Sequence, residues 1–146
     1  MDCAHRVLLV EADAPLKRSL ENFLERAGYA YDCCSNAREA LMLIADFHHD
    51  IVIVEYLLPD ANGVALLKKL MQIVPGAATI MISEYDFQVI AAELAQVEIV
   101  SFLKKPFDLV DFETALSSAC SKASASNCDA DLKLELNLSM PAPILK

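Results

Sequence analysis

Short apolar runs separated by amphipathic stretches recur from Arg6 to Cys120, and this rhythm restricts the fold more than any other feature of the chain. The runs "RVLLV" (residues 6–10), "YAYDCC" (29–34), "DIVIV" (50–54), "ATIMIS" (78–83) and "IVSFLKK" (99–105) have the length and content of strands. Between them, apolar residues fall at helical spacing. Leu16, Leu20, Phe23, Leu24 and Ala27 form the first stripe, opened by Pro15 and stopped by Gly28. Ala40, Leu41, Ile44 and Phe47 form the second, with Ser35 or Asn36 as its cap. Val64, Leu67, Leu70, Met71 and Val74 form the third, from Gly63 onward; Val89, Ile90, Ala92 and Leu94 mark a fourth; and Leu109, Phe112, Leu116 and Ala119 a fifth, after Pro106. Strands alternating with helices at short spacing specify the α/β class: a doubly wound five-stranded parallel sheet with helices on both faces.

The chain has 146 residues, enough for one domain with a proper core and too few for two ordinary ones. Its apolar runs are far shorter than the ~18 residues of a membrane span, and its first one is too short for the ~7 to 15 residue core of a secretory signal. Five cysteines without C-x-x-C spacing indicate neither a disulfide framework nor a zinc site. The adjacent Cys33 and Cys34 read as small buried hydrophobes. A cytoplasmic protein is expected. A net charge of −9 is opposite to the basic footprint of nucleic-acid binding, so no nucleic acid and no membrane are expected as partners of this chain.

Composition changes after Cys120. Residues 1–120 read as the domain, and residues 121–146 as a polar linker and tail, because "SKASASNCDAD" lacks apolar periodicity. Within the tail, "LKLELNLS" (132–139) alternates with period two and predicts an extra strand that could add to a sheet edge.

In a sheet of this kind, reactive groups gather at the carboxyl ends of the strands. There the sequence places Glu11, Ala12 and Asp13 after the first strand, Glu55 at the end of the third, Ser83 at the end of the fourth and Lys105 at the end of the fifth. An acidic cluster, an acid followed by "LLPDANG", a terminal Ser and "FLKKPF" together resemble the receiver domain of bacterial two-component response regulators, over roughly Arg6 to Cys120. The resemblance implies the flavodoxin-like topology and a role in phosphorelay signal transduction as a response regulator. It also implies a magnesium ion held by the strand-one acids, a phosphoryl group accepted at the Glu55 position from a histidine kinase, and Ser83 and Lys105 contacting the phosphoryl oxygens. A switch pair is implied at Ser83 and Phe102.

Two positions depart from that pattern. Ala12 removes one carboxylate from the metal cage, so Glu11, Asp13 and Glu55 are expected to bind magnesium weakly or only vestigially, since that ion demands near-ideal octahedral oxygen ligation. Glu55 is longer than the expected aspartate by one methylene, which carries its carboxylate roughly 1.5 Å further toward Ser83 and Lys105. Glu84 and Tyr85 stand where they could cover the entrance. The reading is a degenerate pseudo-receiver, not an enzyme, in which Glu55 pairs with Lys105 and Ser83 either as a mimic of the phosphorylated state or as a plain structural charge. The alternative is a receiver still phosphorylated on Glu55 or Asp13 with a divalent metal. A flavodoxin-like cofactor binder is disfavoured by the acidic, glycine-free first loop.

Phe102 has no hydroxyl to keep in water, and burying its ring is worth about 2 to 3 kcal/mol. It is therefore expected inward, with the surface of the fourth helix, fifth strand and fifth helix used constitutively for a homodimer or a signalling partner. His48 and His49 read as solvated groups at the end of the second helix, Asp86 as a helix cap, and Asp13 and Asp60 as loop residues.

Overall fold

The computed structural model describes residues 5–136, with side chains described to Ala123. Five strands, β1 (Arg6–Val10), β2 (Ala30–Cys34), β3 (Ile51–Glu55), β4 (Ala78–Ser83) and β5 (Ser101–Lys104), alternate with helices α1 (Ala14–Arg26), α2 (Ala37–Asp46), α3 (Gly63–Ile73), α4 (Ala91–Leu94) and α5 (Leu109–Leu136). The strands form one sheet in the order β2-β1-β3-β4-β5, every pairing parallel. The order reverses at β1 and β3, which places a crevice at their carboxyl ends.

The central strands are buried on both faces because alternate residues serve two cores. Leu8, Val10, Val52, Val54 and Met81 pack with α2, α3 and α4. Val7, Leu9, Ile51, Ile53, Ile80 and Ile82 pack with α1 and α5, where Phe112 is fully buried and meets Phe23 edge to face. This continuous burial explains why β1, β3 and β4 read as unbroken apolar runs.

Helix starts carry their caps. Asp13 accepts from the Leu16 N–H, Asn36 from Glu39 and Asn62 from Val64. Gly28 takes φ 87° just past α1, a left-handed turn that glycine enters without steric cost. Gly63 is required for another reason: a Cβ there would lie 2.3 Å from the Glu55 carbonyl oxygen, so only glycine lets α3 start this close to β3.

Two elements differ from the sequence expectation. The fourth helical segment is a 3-10 turn, Phe87–Val89, followed by the single turn α4. Asp86 precedes that turn but makes no side-chain cap; its carboxylate lies 3.6 Å from the Lys104 ammonium. The polar linker from residue 121 and the first part of the strand expected over 132–139 are instead one helix with α5, which runs without a break to Leu136. No Gly or Pro interrupts the chain from Phe107 to Leu136, and Ala, Lys, Glu and Leu are good helix formers, so local propensity outweighs a five-residue alternation. Ala123 extends the buried stripe of α5 past the boundary expected at Cys120. Residues 137–139 of the expected strand lie outside the described residues.

Candidate functional site

Glu11, Glu55 and Lys105 converge at the carboxyl ends of β1, β3 and β5. Lys105 follows β5 directly, before a cis peptide bond to Pro106, and its N–H donates to the Ser83 carbonyl at 2.8 Å. Its ammonium donates to Glu55 Oε2 at 2.7 Å and to Glu11 Oε2 at 2.9 Å. The side chains are nearly out of solvent, with Lys105 and Glu55 each 11% exposed and Glu11 fully buried. Glu55 Oε1 accepts from the Ala12 N–H at 2.9 Å, and Glu11 Oε2 also accepts from the Asp13 N–H at 3.1 Å. Glu11 Oε1 is buried without a partner.

Two carboxylates on one ammonium cannot be equivalent. Burial, and then the hydrogen bond with Glu55, push the Glu11 carboxyl up to about 7, against the opposing pull of Lys105. Burial also acts to raise Glu55, but hydrogen bonds from Glu11, Lys105 and the Ala12 N–H together hold it below the usual carboxylate range. Burial works against the Lys105 charge, and its bonds to Glu55 and Glu11 outweigh that and raise it. The trio is thus a protonatable Glu11 beside a fixed Glu55–Lys105 ion pair.

The remaining predicted residues are placed differently. Asp13 is exposed, and its carboxylate caps α1 while its backbone N–H meets Glu11. No group of three or more His, Cys, Asp or Glu side chains among the described residues is arranged to hold a metal ion. Glu11, Asp13 and Glu55 do not fit a magnesium cage in this geometry, because Asp13 stands outside it and the Lys105 ammonium already occupies the space between the two glutamates. Ser83 does not pair with Glu55 as expected: its hydroxyl donates to the Tyr85 carbonyl at 3.1 Å and accepts from the Tyr85 N–H at 2.8 Å, a turn that the two-residue spacing favours. Phe102 is half-buried, packed against the α2–α4 core and edge to face with Phe87 at 5.4 Å. On the edge strand β5 its ring stays partly exposed. Glu84 is exposed, and the Tyr85 ring meets Tyr56 edge to face.

Residues that sequence reasoning missed fasten the rim. Asp60, at the tip of the loop after β3, accepts from the Ala37 and Arg38 N–H groups at 2.8 and 3.0 Å and so caps α2 from outside. Tyr56 donates its hydroxyl to Glu93 on α4, which Asn62 also reaches at 3.5 Å. At the opposite end of the sheet, His49 is fully buried with Nε2 2.8 Å from Asp32 Oδ2, and Arg6 forks onto the same carboxylate at 2.8 and 3.0 Å. This corrects its reading as a solvated helix end; His48 is the exposed one, beside Asp50.

A flavodoxin-like sheet order with an acid, a hydroxyl and a lysine at its carboxyl edge defines the receiver class. The response regulator receiver domain model matches residues 7–117, and the chain belongs to that family. It is 31% identical to the chemotaxis protein CheY of Thermotoga maritima over 103 residues, 70% of this chain and 86% of that protein. It is 27% identical to the regulatory protein AtoC of Escherichia coli over 119 residues, 82% of this chain. The chain spans only 26% of AtoC and 29% of the regulator NtrC of Azospirillum brasilense. Among solved structures, the signal receiver domain of an HD domain-containing protein from Pseudomonas fluorescens superposes with TM-score 0.77 at 28% identity, covering 83% of this chain and 98% of that one. A CheY-like receiver from Methanospirillum hungatei shares the fold, with TM-score 0.78 at 23% identity over 83% of this chain and 97% of that one.

Proposed function

We propose that this receiver works in phosphorelay signalling without aspartyl phosphorylation, as a cytoplasmic module acting through protein contacts and not as an enzyme. The observation that carries this reading is the Glu55 Oε2–Lys105 Nζ contact of 2.7 Å. In the receiver pattern the position of Glu55 supplies the acceptor and Lys105 meets the phosphoryl oxygens; here a permanent carboxylate has taken the lysine. Glu11 consumes a second of its donors at 2.9 Å. An incoming phosphoryl group would have to break this pair and would find Ser83 engaged with the Tyr85 backbone. Without a metal cation, the developing negative charge would meet two glutamates.

The output face formed by α4, β5 and α5 supports the same reading. Phe87 and Val89, just before α4, are 49% and 66% exposed, and Leu109 and Val110, at the start of α5, are 43% and 68% exposed. Such a face suits a signalling protein, a histidine kinase or a second copy of the chain, held without a kinase-driven change.

Mass spectrometry after incubation with acetyl phosphate and magnesium tests the reading. The wild type is expected to stay unmodified, and Ala12→Asp with Glu55→Asp to gain a phosphoryl adduct. An adduct on wild-type Glu55 or Asp13 would instead establish the phosphorylation-competent alternative.

A further inference from the structure

The segment after β4 is too short to hold itself together. Helices below about 12 residues are marginal in water, and α4 is one turn preceded by a 3-10 turn. Ile90 and Leu94 anchor it from beneath, each buried. Its other fastenings are polar bonds from the β3–α3 side, Tyr56 and Asn62 on Glu93 and Lys68 on Gln96, and contacts from β5, Lys104 near Asp86 and Phe102 against Phe87.

Tyr56 differs from the other fastenings because it is the residue next to Glu55 and is held at every polar atom. Its N–H donates to the Ile82 carbonyl at 2.7 Å, its carbonyl accepts from the Gly63 N–H, and its hydroxyl binds Glu93. Its ring meets Tyr85 at 5.8 Å, and the Tyr85 backbone is what holds the Ser83 hydroxyl. A shift of the backbone at position 55 therefore moves a side chain whose ring touches Tyr85 in the loop after β4 and whose hydroxyl holds Glu93 on α4.

We propose that the Tyr56–Glu93 hydrogen bond is a latch that transmits the Glu55–Lys105 pairing to residues 86–96, with Tyr56 as the positioning residue. The two states are a fastened one, described here, and one in which the turn at 87–94 frays when the bond is lost. Fraying releases Phe87 from its edge-to-face contact with Phe102 and dissolves the apolar face that Phe87 and Val89 present. The latch rests on the reading above only in taking Glu55–Lys105 as the resting state of the site.

Amide hydrogen exchange on the full chain, followed by mass spectrometry, tests this apart from any phosphorylation assay. In Tyr56→Phe, which keeps the ring on Tyr85, peptides covering residues 86–96 are expected to exchange faster by about tenfold, the factor a hydrogen bond to a charged acceptor is worth, with β1 and β3 unchanged. Glu93→Gln should reproduce the effect from the other side. Glu55→Gln should speed exchange in the same peptides when Tyr56 is present and add nothing in the Tyr56→Phe background; should that variant not fold, Lys105→Gln breaks the same pair. The latch is overturned if Tyr56→Phe and Glu93→Gln leave exchange there within about twofold of wild type on the same opening scale. It is equally overturned if breaking the Glu55–Lys105 pair has the same effect with and without the Tyr56 hydroxyl, or none.

Discussion

The Lys105 ammonium stands 2.7 Å from Glu55 Oε2, so the lysine that a receiver needs for its phosphoryl group is already neutralised from within the fold. Replacing it exposes what it compensates. Lys105→Met leaves Glu11 and Glu55 facing each other out of water, and the unfolding free energy at neutral pH is expected to drop by about 2 to 3 kcal/mol, somewhat under the figure for a fully buried pair. Urea denaturation measures it, and adding Glu11→Gln should recover part of the loss.

Glu11 makes stability depend on pH in a direction opposite to ordinary acids. Its folded-state value, raised to about 7, lies above the unfolded value, so the folded protein binds the extra proton and its contribution is present below about 4.5 and lost as pH rises through about 7. Glu55 and Asp32 are shifted downward and act the other way, losing their contribution in acid, below their ordinary values. Thermal melts from pH 5 to 8 are therefore expected to decline in wild type and to flatten in Glu11→Gln. A wild-type melting temperature that rises over this interval would contradict the assignment.

The two glycines near α3 should respond oppositely. Gly63→Ala forces a methyl against the Glu55 carbonyl oxygen and should cost about 2 kcal/mol or more, in the range of overpacking, with loss of the site geometry. Gly76→Ala meets nothing within 4 Å and should be neutral or stabilising by about 0.5 kcal/mol through the unfolded chain. Equilibrium denaturation of both variants is the check.

At the far end of the sheet, Asp32→Ala removes the partner of both Arg6 and the fully buried His49. A buried imidazole left without its bond costs about 1 to 3 kcal/mol, whereas Arg6→Ala leaves that bond in place and should cost less. Comparing the two denaturation midpoints decides the order.

Much of this architecture is legible in the sequence because strand burial here is two-sided, and two-sided burial writes itself as unbroken apolar runs. The runs containing Val7–Val10, Ile51–Val54 and Ala78–Ile82 are of that kind. Where the signal is local and weak, it misleads: the alternation from Leu132 is the same residue set that a helix accepts, and the absence of Gly and Pro before it carries the stronger message. Of the site, Glu11, Glu55 and Lys105 are legible as strand-end groups. The bond of Ser83 to Tyr85 is not, because the two-residue spacing allows a hydroxyl its own turn but does not decide between that turn and a neighbouring side chain. Tyr56 with Glu93 and Asp60 with Ala37 are invisible for another reason: their partners lie 37 and 23 residues apart and share no periodicity.

Asp60 gives the loop after β3 a second owner. Because its carboxylate closes the first turn of α2, a neighbour 23 positions earlier in the chain, the two stretches behave as one part when the protein is rebuilt. A loop grafted into positions 57–62 without an acid at the place of Asp60 would leave the Ala37 and Arg38 N–H groups without that acceptor, and α2 moved into a host lacking such an acid would leave them equally open. Engineers exchanging specificity between such domains would have to move the pair together.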